Sequence, residues 1–461
     1  MNKLLQNFTF ILAIILLAGC APEKSSNATY FGGKIINPKT NFVILYNKEK
    51  VVDTLFLNEH NKFFGKYENL GKGFYHFEHG NEYQNIYLVP NDSILIRLNT
   101  WDFDETLVFS GIGAEKNNIL IDCFLESERE YKNEKLYSFY ALDSKNFKEK
   151  MDSVLIIKQE KMDDFTAKNT AVNDDYLEVL KVATKYPIYT RFEKYARIHR
   201  KMNRLSSNPI LGNTFYDYRK DTDINKVHLM YMETYSSYVV HRLYNDVYAQ
   251  GTDVSSKEFT TKLLNSINQN IKSEPHRNVF LKRATLNEFQ SNSSCAYNKK
   301  SFDAFVQLSS NEKDKDFFKR LINDIKTLHG GSKLTDFNVT DYLNTKRSIK
   351  ELTKNKNSVV YFWNPKYIDE YSLVMRLRYL TKRFPNVKFI GVKIAHINND
   401  HVKGIDIKSQ YYLESDSDAQ LFLTSKSPRT LLINKKGKIV NGFATITSYK
   451  FNKQVEYLQK N

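Results

Sequence analysis

Three cysteines and ten histidines are the side chains here best suited to chemistry beyond ion pairing. Thiol–disulfide exchange needs a thiolate with a second thiol beside it, as a Cys-x-x-Cys run at a helix start provides. Cys123 and Cys295 are 172 positions apart and have no such neighbour. In an oxidising compartment they could close a structural disulfide; otherwise they read as two buried free thiols, and spacing leaves both open. Among the histidines, His199, His228, His241 and His276 lack a metal-ligand spacing. His396, Asp400 and His401 share one segment, but no third ligand of matching pattern accompanies them, so they read as a surface loop. His76 and His79 fall on one strand pattern and face opposite sides. Ser427 has no base or acid at a suggestive spacing. Gly111 and Gly113 lack both the GxGxxG and the Walker pattern, and read as a turn from sheet into helix. Neither a metal centre nor a cofactor is expected.

Cys20 ends a different kind of run. Residues 1–20 read MNKLLQNFTFILAIILLAGC, with Lys3 as a short positive start and Phe8 to Leu17 as an apolar stretch. That stretch has signal-peptide length, below the about 20 apolar residues that span a bilayer. Leu17-Ala18-Gly19-Cys20 resembles the lipobox of bacterial lipoproteins. The resemblance implies that the Cys20 thiol takes a diacylglyceryl anchor and Cys20 becomes the mature N-terminus. An ordinary secretory signal is the alternative. Residues 21–27 form a polar tether, and no acidic residue follows Cys20 directly. By the same resemblance the anchor lies in the outer membrane, with the body in the periplasm and surface exposure left open.

The elements that would position a site follow from composition and pattern. The chain has 461 residues, 41% hydrophobic and 26% charged, with 17 Gly and 9 Pro, which excludes collagen-like and largely disordered chains. At about 150 residues per domain, there is room for roughly three domains. Lys+Arg 68 against Asp+Glu 52 leaves +16, or 67 against 52 once Lys3 goes with the leader. The densest basic stretch, Arg191, Lys194, Arg197, Arg200, Lys201 and Arg204, alternates with Phe192, Tyr195, Ile198, Met202 and Leu205. It reads as an amphipathic helix with a solvated face, contact with anionic lipid headgroups being the alternative. Nucleic acid is not an expected partner of an exported chain.

Residues 28–113 break into short aromatic and β-branched runs, with Pro90-Asn91-Asp92 as a tight turn, and predict an antiparallel β-sandwich. Residues 114–330 predict a helical region, in which Tyr186-Pro187, Asn208-Pro209 and Glu274-Pro275 mark helix boundaries. Its tyrosines, Tyr231, Tyr235, Tyr238, Tyr244 and Tyr248, read as packing with hydrogen bonds. Residues 331–461 run strand, helix, strand, hairpin, helix, an α/β order. The whole predicts an α+β multidomain chain.

The last region resembles the thioredoxin fold, in particular the TlpA and ResA disulfide reductases. The resemblance spans about 130 residues. Asp336 to Val339 and Ser348 to Leu352 match the family's first segments, and Val359 to Trp363 its active-site strand. Ser427-Pro428-Arg429-Thr430 through Lys438-Ile439-Val440 match its cis-proline strand and hairpin, which makes Pro428 the expected cis-proline. After Phe362-Trp363 the family carries Cys-x-x-Cys; here the chain reads Asn364-Pro365-Lys366-Tyr367-Ile368-Asp369-Glu370, with Tyr367 and Glu370 in the cysteine positions. A phenol ionising near 10 cannot form a mixed disulfide, and Glu370 reads as a helix-start acid.

Two function classes follow. The first is an outer-membrane-anchored lipoprotein whose redox-inactive thioredoxin-like domain binds or scaffolds an envelope protein or peptide. Its groove would be lined by Trp363, Asn364, Lys366, Tyr367, Glu370, Ser427 and Pro428. The second is a working TlpA/ResA-type oxidoreductase, against which the empty Cys-x-x-Cys position counts. Within the first, Tyr367 is either an aromatic docking surface or a plug for a vacated pocket.

Overall fold

The computed structural model describes residues 28–460 except 49, 81, 133–134, 170–171, 293–295, 366, 395–400 and 449. Cys20, the tether, Cys295, Lys366, His396 and Asp400 therefore lie outside the described residues. The chain divides into two compact units, residues 1–242 and 243–461, so the helical stretch expected over 114–330 contributes to both.

The first unit opens with eight strands: β1 (Ala28–Ile36), β2 (Phe42–Asn47), β3 (Lys50–Phe56), β4 (Lys62–Glu68), β5 (Gly73–His79), β6 (Glu82–Leu88), β7 (Ser93–Asn99) and β8 (Val108–Ile112). Period-two patterning makes them. β7 buries Ile94, Ile96 and Leu98 and turns Leu95 and Arg97 outward. Two sheets result, β4-β1-β7-β8 and β3-β2-β5-β6. Phe31 of β1 and Phe77 of β5 meet with ring centroids 5.6 Å apart, so the inner faces share one core. The sandwich is not wholly antiparallel as the pattern predicts. β1 pairs in parallel with β7, Phe31 opposite Ile94, because the long β2–β6 excursion supplies the crossover a parallel pair requires. Gly113 makes the turn out of β8, while Gly111 is still in the strand, opposite Ile94. Both have positive φ, and a Cβ on Gly113 would lie 2.1 Å from the Asp92 carboxylate.

Six helices follow or interrupt these strands: α1 (Phe103–Thr106), α2 (Ala114–Lys132), α3 (Lys135–Phe139), α4 (Ser144–Lys168), α5 (Asp174–Met202) and α6 (Glu233–Ala249). Pro187 does not end a helix; it lies inside α5. Tertiary burial outweighs the lost backbone bond there, since Tyr186, Ile188, Tyr189 and Phe192 on both sides are all buried. The basic stretch is a solvated face only in part: Lys201 and Arg204 are exposed and Lys194, Arg197 and Arg200 half-buried, but its first member is not. Arg191 is 8% exposed with its guanidinium on Glu130, and Tyr195 and His199 are buried beside it. The acidic partner sits on α2, beyond the reach of local pattern.

His79 shows how the sandwich uses a buried imidazole. Its Nδ1 lies 2.9 Å from the Phe42 carbonyl and its Nε2 accepts from the Lys39 N–H at 2.9 Å, which fixes the neutral tautomer. Burial holds its pKa below the usual value, and burial does the same to His76. In the unfolded chain these groups protonate near ~6.5, so the unfolded state takes up protons first as pH falls. Stability should therefore decline from pH 7.5 to 5.5. Urea midpoints across that range should show a slope that flattens in His79→Gln; an unchanged slope would discount the imidazole.

In the second unit α7 (Phe259–Asn270), α8 (Glu274–Asn292), α9 (Lys299–Leu308) and α10 (Glu312–Thr327) precede a seven-stranded sheet. Its strands are β9 (Asn338–Asp341), β10 (Lys346–Ser348), β11 (Ser358–Trp363), β12 (Lys388–Lys393), β13 (Gln410–Tyr412), β14 (Arg429–Ile433) and β15 (Ile439–Ala444). They are ordered β10-β9-β13-β12-β11-β14-β15. Central β11 is parallel to β12 and antiparallel to β14. All six of its residues are buried, because both faces are covered. Val360 and Phe362 pack with Phe337 and Leu431 on one side. Val359, Tyr361 and Trp363 pack on the other against α12 (Glu370–Arg383) and α13 (Phe451–Lys460). A short α11 (Ile349–Thr353) completes the unit. Among the described residues no helix is long and apolar enough to cross a membrane.

Candidate functional site

The site lies where β11 ends. Trp363 is 5% exposed and pairs across the sheet with Lys393, whose ammonium lies 5.7 Å from its ring centroid. A lysine inside the buried run of β12 was the one signal in sequence for this cation–π contact, and pattern reading passed over it. Beyond Trp363, the half-buried Asn364 offers its carbonyl to the N–H groups of Tyr367 at 2.9 Å and Ile368 at 3.3 Å. This tight turn lifts Tyr367 outward, 63% exposed. It does not plug a pocket.

Asp369, not Glu370, caps α12. Its carboxylate accepts the Ser372 N–H at 2.8 Å, and hydrogen bonding from the Ser372 hydroxyl and then its N–H holds its pKa below the usual carboxylate range. Glu370 is the exposed first residue of the helix, as its acid type implied. From there α12 buries Leu373, Val374, Leu377 and Leu380 under the sheet. Its other side presents Tyr371, Met375 and Tyr379, 75%, 47% and 44% exposed, at four-residue spacing. Tyr367 continues that line one step earlier in sequence. This row of two tyrosines and a methionine went unnoticed because each residue alone reads as ordinary helix surface.

The second wall comes from β14. Arg429 is paired with Phe362, so Ser427 and Pro428 enter the sheet at the end where Trp363 and Asn364 leave it. Of the candidates, Trp363, Asn364, Ser427 and Pro428 are thus brought to one sheet end, with Tyr367 and Glu370 on the loop and helix that follow. The Ser427–Pro428 bond is trans, as no cis peptide bond occurs among the described residues. The expected cis-proline is therefore corrected: trans is the default, and the loop is shaped here by a different device. Asp324 of α10, fully buried, accepts Thr424 N–H at 3.0 Å and Oγ1–H at 2.6 Å. It also accepts Ser425 N–H at 3.0 Å and Oγ–H at 2.6 Å, and the equally buried Arg429 guanidinium at 2.6 Å. One carboxylate thereby sets the path of residues 424–429.

No thiol stands on this loop. Cys123 is a free thiol of the first unit, 3% exposed, whose pKa burial pushes up to about 11. It is neither paired nor activated. Among the described residues no three His, Cys, Asp or Glu side chains converge as metal ligands. What the arrangement can do chemically is bind: it offers exposed tyrosines on the loop and helix, a fixed carboxylate at a helix start, and a strand entering beside them.

No protein-family model and no curated protein matches the chain. Solved structures resemble part of it. The thioredoxin domain of a thiol-disulfide oxidoreductase from Bacteroides vulgatus is 23% identical, over 28% of this chain and 98% of that one, with a TM-score of 0.22. A thiol:disulfide interchange protein from a Bacteroides species is 22% identical, over 29% and 93%, with a TM-score of 0.25. A thiol peroxidase from Chromobacterium violaceum is 13% identical, over 29% and 86%, with a TM-score of 0.21. The similar structures are thioredoxin-like proteins, and the similarity covers less than a third of this chain.

Proposed function

We propose that the chain is a lipoprotein anchored through Cys20 in the outer membrane, whose thioredoxin-like domain binds a protein or peptide and does not exchange disulfides. The observation that carries this reading is the loop from Asn364 to Glu370. It holds an exposed Tyr367 where a thiol would act, and Asp369 occupies the helix terminus that would lower a thiol pKa. An extended segment could lie along the Ser427-Pro428 edge with its side chains on the Tyr367 and Tyr371 rings, in the manner of strand-edge recognition.

Insulin reduction should run no faster with the purified chain than with its Cys123→Ser, Cys295→Ser variant. Turnover lost in that variant would defeat the reading. Tyr367→Ala with Tyr371→Ala should weaken retention of envelope proteins on the immobilised chain by about tenfold or more, tenfold being the effect of losing a single aromatic anchor. Cys20→Ser should move the protein from the membrane to the soluble fraction.

A further inference from the structure

We propose that the outer face of the β4-β1-β7-β8 sheet binds a long-chain carboxylate, with the acyl chain in an apolar trough and the head group on a row of three cations. Strand register builds both parts. On one cross-strand row Lys62 stands opposite Lys34, and Lys34 opposite Arg97. On the next row Phe64 stands opposite Gly32, and Gly32 opposite Leu95. Period-two alternation puts both rows on the solvent side, where Phe64 is 61% and Leu95 43% exposed.

Beside them opens a cavity of about 560 Å³, lined by Gly33, Lys34, Phe56, Lys62, Phe64 and Leu95 among others. That volume lies in the range of small-molecule sites. Its floor is bare backbone. At Gly32, between Phe64 and Leu95 on the outer row, a Cβ would lie 2.7 Å from the Phe63 carbonyl, so no side chain fits there. The Phe64 ring leans over Gly32 and stacks on Tyr30 at 5.7 Å, which holds one wall upright.

Charge selects the occupant. Like charges directly opposite on a sheet are destabilising. Lys66, in the row beyond, is relieved by Glu68 at 3.4 Å. Among the described residues Lys34, Lys62 and Arg97 have no carboxylate within ion-pairing distance. A ligand that fills an apolar trough and ends in an anion satisfies both halves at once; a neutral amphiphile satisfies one.

Calorimetric titration of the full mature chain with monomeric dodecanoate should show saturable binding at one site. Dodecanol should bind about tenfold more weakly or worse, the factor one charge-assisted hydrogen bond carries. Lys34→Gln with Arg97→Gln should lose a similar factor for dodecanoate and little for dodecanol. Leu95→Glu, at an exposed position that folding tolerates, should abolish uptake of dodecanoate. Equal affinity for acid and alcohol, wild-type affinity in the variants, or no saturable binding would overturn the proposal. So would cation-dependent binding to phosphatidylglycerol vesicles with no uptake of monomer, which would make this face a membrane-docking surface.

Discussion

Replacing Asp324 with alanine should lower the melting temperature of the second unit by about 10 °C. Removing one partner of a buried ion pair costs ~3–5 kcal/mol, and a unit of this size loses about 2–4 °C per kcal/mol. The mechanism is the desolvation of what remains. The Arg429 guanidinium, the Thr424 and Ser425 N–H groups and both hydroxyls would lose a common acceptor in a place water does not reach. Asp324→Asn keeps an acceptor without the charge and should fall between. Asp324→Leu with Arg429→Met should regain part of the loss by removing the orphaned charge. The loop from Thr424 to Pro428 hangs on this carboxylate, so Asp324→Asn should also weaken partner retention at temperatures where the unit is folded. A drop of one or two degrees for the alanine variant would reduce the pair to the weight of a surface bridge.

Cys123 should resist alkylation in the folded chain by two orders of magnitude or more. At pH 8 a rise of its pKa to about 11 cuts the thiolate fraction about a hundredfold relative to an ordinary cysteine, before access is counted. In a Cys20→Ser, Cys295→Ser background, iodoacetamide should label nothing over minutes in buffer and one thiol promptly in urea. Fast labelling under native conditions would mean that α2 opens readily and that the thiol is available to chemistry after all.

Where local pattern and tertiary environment agreed, sequence was enough. The run Ser358 to Trp363 reads as a buried strand because both its faces are covered, and Lys435-Lys436-Gly437 reads as a hairpin turn because its glycine takes the positive φ one needs. The loop without cysteines was equally plain. What stayed hidden depends on partners distant in sequence. Asp324 and Arg429 are 105 positions apart, and neither type announces a buried network. Arg191 looked solvated because Glu130 lies 61 positions away on another helix. Pro187 looked like a boundary because propensity cannot see the aromatic packing that keeps α5 continuous. The parallel β1–β7 pair escaped a pattern that records alternation but not direction. Glu370 was legible as the acid that starts its helix, but in a string of two acids nothing marked Asp369 as the cap.

That cap bears on whether thiol chemistry could be installed on this loop. A helix terminus can host one anion well. Here Asp369 has taken the place a thiolate would need, and Asn364 has folded the preceding turn so that position 367 stands clear of the terminus. Two cysteines placed at 367 and 370 would flank a carboxylate that raises their pKa values instead of lowering them. A thiol at either position would therefore stay a weak nucleophile for as long as Asp369 keeps the helix cap.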